Sequence, residues 1–133
     1  MTNRITPENI TTLADNEVFV FGSNQSGRHG AGAARTALKW GAKWGQAEGL
    51  QGKTYGIPTK NAAITKTLPV HVIETYVSDF IQFAKTHQEL VFLVTEIGCG
   101  LAGYHPKDIA SLFMDAISVE NIHLPERFWR KLK

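Results

Sequence analysis

The sequence predicts an α/β fold in which helices cover both faces of a mixed, partly parallel sheet, a three-layer α/β/α arrangement. Three observations predict it. Strand-like apolar runs alternate with helix-periodic runs along the chain. The run Leu90 to Val94 is apolar without alternation, as in a strand buried on both faces. Two glycine-rich loops each follow a strand run and precede a helix run, where open α/β sheets place their ligands. At 133 residues a single domain over 1–133 is expected.

The elements follow in order. Ile10 to Leu13 reads as a short lead-in, and Pro7 suits the start of a helical turn there. Glu17 to Phe21 is rich in Val and Phe and bounded by turn residues, so a buried strand is expected. Gly30 to Trp44 carries helix-forming Ala, Leu and Lys, and Gly41 and Gly45 mark its end. Lys53 to Thr59 is a second strand. Pro69 to His87 is the clearest helix: Val70, Ile73, Val77, Phe80, Ile81 and Ala84 keep a helical period, and Pro69 suits its first turn. Glu89 to Thr95 is the strongest strand. Pro106 to Ile117 is a helix with Ile109, Leu112, Phe113 and Ala116 on one face. Asn121 to Leu124 is a last short strand, and a terminal helix follows it.

Composition narrows the function classes. A formal charge of +2 does not argue for a dedicated nucleic-acid or membrane binder. Basic residues gather in Arg127 to Lys133, a pattern that fits a solvated terminal helix. One cysteine excludes an intrachain disulfide and fits a reducing compartment. Neither a secretory signal nor a transmembrane run is read, so a cytoplasmic protein is expected. The five histidines show no metal-ligand spacing, and neither a metal nor a cofactor is expected.

The first glycine loop is Gly22-Ser23-Asn24-Gln25-Ser26-Gly27-Arg28-His29-Gly30-Ala31-Gly32, and the second is Gly98-Cys99-Gly100-Leu101-Ala102-Gly103-Tyr104. Glycine lets a backbone turn sharply and approach a ligand closely, and a helix N-terminus offers free N–H groups to an anion. Gly22 to Gly27 has Walker-A spacing, but Arg28-His29 stands where Lys-Ser/Thr is required, which argues against an ATPase. Gly98-x-Gly100-x-x-Gly103 matches the dinucleotide fingerprint, yet too little chain follows for the ribose-binding half. What survives is a pair of backbones able to hold a phosphate-rich ligand between them. The alternative is that these glycines only make tight strand-to-helix turns.

Several side chains carry candidate chemistry. Asn24 can hydrogen-bond a sugar hydroxyl or serve as a turn residue. Lys60, at a strand end, can contact phosphate, polarise a leaving group, or simply face solvent. Cys99 near a helix start could be a nucleophile beside His29 or His105, or a small buried turn residue. His29 stands out among the histidines because its neighbours are loop glycines. Tyr104 can cap a bound ring or ribose, or pack.

These residues together resemble a divergent macro domain, the ADP-ribose-binding module. Asn24 and the run Arg28-His29-Gly30-Ala31-Gly32-Ala33-Ala34 stand where that family has an asparagine at a strand end followed by a glycine loop and helix. Ile97 to Tyr104 stands for its second loop. The likeness spans about Ile10 to Ile117, with specific identity confined to the loops. Within the family the chain is most similar to the branch of terminal ADP-ribose glycohydrolases and DNA ADP-ribosyl glycohydrolase antitoxins: Ile57-Pro58-Thr59-Lys60 and Gly98-Cys99-Gly100 match segments of that branch, whose lysine is catalytic. The terminal glycohydrolase also uses an acid after Gly-Cys-Gly-Leu, where this chain has Ala102.

The resemblance implies ADP-ribose, or an ADP-ribosylated protein or nucleic acid, as partner, with no membrane involved. It implies Lys60 and Asn24 as catalytic residues, Lys60 attacking the anomeric carbon or stabilising the opened sugar and Asn24 orienting the distal ribose. Gly22, Ser23, His29, Gly30, Ala31 and Gly32 would hold that ribose and part of the pyrophosphate. Gly98, Cys99, Gly100, Leu101, Ala102, Gly103 and Tyr104 would hold the phosphates. The family's adenine-reading aspartate has no clear counterpart; Asn9 is nearest in sequence and its amide could bond the adenine amino group. Two activities are therefore expected as alternatives: hydrolysis of an ADP-ribosyl group, or non-catalytic sensing or sequestration of an NAD-derived nucleotide. A third, less favoured, is a hydrolase using Cys99.

Overall fold

The computed structural model describes residues 3–100 and 102–132. Its centre is a five-stranded sheet built from β1 (Glu17–Asn24), β2 (Gly49–Gln51), β3 (Thr54–Lys60), β4 (Val91–Val94) and β5 (Ile122–His123), in the order β2-β3-β1-β4-β5. β1 runs parallel to both β3 and β4, and β4 parallel to β5; β2 is antiparallel to β3. The sheet is thus mixed and mostly parallel, as the alternation predicts.

The layers follow from the pleat of β1. Successive side chains on a strand point to opposite faces. Val18 and Val20 join the larger core with Tyr55, Ile57, Phe92 and Val94. Phe19 and Phe21 join a smaller core on the other side. Four helices cover the two faces: α1 (Gly32–Ala37), α2 (Val70–Lys85), α3 (Pro106–Ala110) and α4 (Glu126–Leu132). On the larger face, α2 buries Ile73, Val77, Phe80, Ile81 and Ala84, five of the six periodic residues expected of it, beside Ile109 of α3 and Phe128 of α4; Val70, at its first turn, is only partly buried. Phe80 makes edge contacts with Tyr55 and Phe92 at ring separations of 5.0 and 5.4 Å; loss of such a buried ring typically costs about 3–5 kcal/mol. On the smaller face, Ala34 and Ala37 of α1 pack on Phe19 and Phe21, with Trp40, Ile10 and Leu13 around them.

Some elements depart from the sequence expectation. The helix expected over Gly30 to Trp44 is the short α1 with a 3-10 turn at Leu38–Trp40. It stops because Gly41 takes φ 106°, and a Cβ there would lie 2.9 Å from the Cα of Gly52. That close approach of two backbones docks the chain that forms β2, the antiparallel strand that periodicity over three residues cannot reveal. The helix expected over Pro106 to Ile117 is α3 followed by a 3-10 turn at Ser111–Ala116, with non-helical backbone at Phe113. Ile10 to Leu13 forms no helix.

The two ends of the chain are joined. Ile5 bridges Leu124 in parallel fashion. The Arg4 guanidinium donates to the carbonyls of Ala116, Ile117, Val119 and Ile122, closing the end of the 3-10 turn onto β5. Trp129 of α4 lies 5.0 Å from that guanidinium and donates its indole N–H to the Arg4 carbonyl.

Candidate functional site

The carboxyl ends of the three central parallel strands meet at one edge of the sheet. β1 ends at Asn24, β3 at Lys60 and β4 at Val94, followed by Thr95 and Glu96. A cleft of about 570 Å³ opens there, within the range of small-molecule sites. Both glycine loops line it, the first through Gly22, Asn24, Gly30, Ala31 and Gly32, the second through Gly98, Gly100 and Ala102. Lys60, at the end of β3 on the other side of β1 from β4, lines the same cleft. A Cβ on Gly30 would meet only the rim indole of Trp44, at 3.9 Å, and one on Gly100 would meet nothing within 4 Å. The walls at both points are bare backbone, open to close approach.

The first turn of α1 also lines the cleft, through Gly32, Ala33 and Ala34. First-turn N–H groups have no acceptor inside their own helix. Charge has the same sign: Arg28 and Lys60 line the cleft, and the single carboxylate among its described lining residues, Glu96, accepts from the Arg127 guanidinium through both oxygens. An anion entering the cleft therefore meets two cations and an already neutralised acid.

A second recess of about 710 Å³ adjoins the first, sharing Ala33, Thr95 and Glu96 as a common wall. Asn9 lines this second recess, with Glu8, Ile10 and Phe19. The two recesses, here termed the trough, lie side by side at that shared wall.

Several expected contacts are structural instead. Asn24 is buried, and its side chain organises the first loop: Nδ2 donates to the Arg28 carbonyl at 2.8 Å, while Oδ1 accepts from Ser26 Oγ and the Arg28 N–H. It lines the cleft, and among the described residues its second amide proton has no acceptor. His29 is fully buried behind the loop, against Phe21 and Trp44, and does not line the cleft. Its Nε2 lies 3.2 Å from Gln51 Oε1, which also accepts from the Lys43 N–H, so Nε2 is the protonated nitrogen. Ser23 is buried and donates to the Ala47 carbonyl.

In the second loop, Cys99 faces the larger core, and burial with the nearby Glu96 carboxylate pushes its thiol up to about 11. A thiol held protonated is a poor nucleophile, and Cys99 is not among the residues that line the cleft, so neither observation favours a Cys99 hydrolase. Tyr104 also packs on that core and donates to the Leu68 carbonyl at 2.8 Å. Gly103 turns the chain at φ 90° outside the cleft lining. Leu101 lies outside the described residues. Thr67 Oγ1 donates to the Ala102 carbonyl at 2.6 Å, so the segment after Lys60 is tied directly to the second loop.

The cleft includes residues that the motifs do not single out. Thr95 and Glu96 follow the end of β4, and the strand-end rule alone would have found them. Trp44 and Ile64 form apolar rims. Ile64 has φ 60°, a left-handed conformation that β-branched residues rarely adopt and that costs about 1–2 kcal/mol. It is held by the Asn61 side chain, whose Oδ1 accepts from the N–H groups of Thr65 and Lys66. Among the described residues no cluster of His, Cys, Asp or Glu could hold a metal ion, and no helix is long and apolar enough to cross a membrane. The chain matches no family model, and comparison with curated proteins and with solved structures returns no match.

Proposed function

We propose that the trough binds ADP-ribose or an ADP-ribosyl group, and that Lys60 releases it from a modified protein or nucleic acid. The observation that carries this reading is the convergence of both glycine loops and Lys60 on one cleft at the parallel strand ends. A pyrophosphate between the loops would meet bare backbone at Gly30 and Gly100 and the cation Arg28. The distal ribose would lie toward Asn24 and Lys60, and the adenosine end toward Asn9 in the second recess. This fits the macro-domain resemblance of the loops and of Ile57-Pro58-Thr59-Lys60.

The chemistry asked of Lys60 is nucleophilic. After losing a proton to solvent, the Lys60 amine attacks the anomeric carbon as the bond to the acceptor breaks, and a proton from the attacking nitrogen passes to the departing acceptor; water then adds to the same carbon, the C–N bond breaks, and its proton returns to the amine as the sugar leaves. Asn24 holds the first loop in shape and has one amide proton left for the ribose. The experiment is to incubate the protein with ADP-ribosylated protein and ADP-ribosylated DNA and assay free ADP-ribose. Release supports the glycohydrolase.

A second reading is a non-catalytic module that senses or sequesters an NAD-derived nucleotide. Two observations favour it: Ala102 stands where the resembling branch has an acid, and the nearby Glu96 carboxylate is engaged by Arg127. Binding of ADP-ribose without release from any modified acceptor would select this reading.

A further inference from the structure

We propose that Trp44 is a stacking platform for a planar heteroaromatic ring carried on the distal ribose, so that the cleft distinguishes ring-bearing ADP-ribosyl compounds from bare ADP-ribose. The proposal rests on the ADP-ribose reading above and adds a specificity-determining residue to it.

Trp44 is 64% exposed, more than any other large apolar side chain among the described residues, and it lines the cleft beside Gly30. An indole left in water forgoes a large burial gain, so its place at a cavity rim calls for a reason. Its exposure does not come from a loose chain. On one side the Lys43 N–H donates to Gln51 Oε1 at 2.7 Å, and on the other the Gly45 N–H donates to the Gly27 carbonyl at 2.8 Å. Gly27 is packed so closely that a Cβ there would lie 2.4 Å from the Gly45 carbonyl carbon. Behind the indole stands the buried His29 ring, 6.4 Å away and nearly perpendicular. The backbone on both sides of Trp44 is therefore anchored, its inner contact is fixed, and most of the indole remains open.

A pre-positioned aromatic beside bare backbone is suited to stacking on a flat ring. Stacking requires only a π-face, so it tolerates different rings; with the adenine held toward Asn9 in the second recess, it gives nothing to a ligand whose distal ribose ends in a hydroxyl or an aliphatic acceptor. Two sources share this chemistry: the pyridine ring of an intact dinucleotide and the base of an ADP-ribosylated nucleoside.

The test is calorimetric titration of the intact protein, Trp44→Ala and Trp44→Phe with four probes: ADP-ribose, NAD, an ADP-ribosylated nucleoside and a glutamate-linked ADP-ribosyl peptide. The expected result is that Trp44→Ala weakens at least one ring-bearing probe roughly tenfold, within the range of base stacking on aromatic side chains. ADP-ribose and the peptide should change less than about twofold, and Trp44→Phe should retain most of the ring affinity because it keeps a π-face. Which ring-bearing probe responds identifies the source. The proposal is overturned if Trp44→Ala leaves both ring-bearing probes unchanged, or weakens all four alike. If the intact protein binds no ADP-ribose at all, the ADP-ribose reading fails and the platform with it; if ADP-ribose binds and Trp44 is silent, the platform alone fails.

Discussion

Asn24 and Lys60 are partners across the parallel β1–β3 ladder, brought opposite one another by a register shift between Ser23 and Asn24. Without the bulge, strict continuation of the register from Ser23 and Pro58 would place Asn24 opposite Thr59. Both residues line the cleft, but Thr59 is buried with its hydroxyl donated to the Ser23 carbonyl, whereas Lys60 is partly exposed. A bulge that re-aims a side chain at a sheet edge is a recurrent device next to binding sites. Here it sets the residue that organises the first loop beside the proposed nucleophile.

The first prediction concerns Lys60. A catalytic lysine acts chiefly on the transition state, so Lys60→Ala should lower turnover by two or more orders of magnitude, roughly 3 kcal/mol in barrier, and leave ADP-ribose affinity nearly intact. Turnover assays and calorimetry on the same preparation separate the effects. A Lys60 that only grips phosphate would instead weaken binding, with a strong dependence on salt.

Cys99 should be chemically quiet. With its thiol pushed up to about 11, only a small fraction is thiolate at pH 8, and alkylation there should be roughly a hundredfold slower than that of an unhindered thiol with ordinary acidity. The rate should climb with pH toward 11, since each unit of pH raises the thiolate fraction about tenfold below that value. Cys99→Ala should leave ADP-ribose release unchanged. Rapid alkylation at neutral pH, timed by mass spectrometry, would contradict this.

Arg4 should be a stability residue. Its guanidinium donates to four backbone carbonyls around the end of the 3-10 turn, and Arg4→Ala would leave several of these without a partner. Lost charge-assisted bonds of this kind cost about 1.5–3 kcal/mol each at most, and with water replacing some of them a total near 3 kcal/mol is expected from chemical denaturation. Arg4→Lys should recover little, because an ammonium cannot span the same fork of acceptors. ADP-ribose binding by the folded fraction should be unaffected.

Much of the fold was legible because its signals are local. The apolar run of β4 and the period of α2 identify those elements from their own residues, and the two glycine loops fall at strand ends as the pattern predicts. What the sequence hid depends on contacts distant along the chain. α1 is short because Gly41 meets Gly52, eleven positions on, and β2 exists because that contact docks it. The bonding of Arg4 to Ile122 spans nearly the whole chain, and nothing near Arg4 in sequence announces it. In the candidate site, loop membership picked out the lining glycines but could not say which way each neighbouring side chain turns. Adjacent to Gly30, His29 turns inward to Gln51, and adjacent to Gly98 and Gly100, Cys99 turns to the core. Trp44 read as the end of a helix; only the early stop at Gly41 releases it to the rim.

The central claim is that a phosphate-rich ligand lies between the two glycine loops. It is tested most directly by calorimetric titration of ADP-ribose into the intact protein, Gly30→Val and Gly100→Val. The walls at both glycines are open, so a valine at either should fold but project its methyl groups where the pyrophosphate would lie. One-to-one binding by the intact protein is expected, with a loss of about 2 kcal/mol or more in each variant, the usual cost of overfilling a packed site. Absence of binding by the intact protein, or undiminished binding by both valine variants, would contradict it.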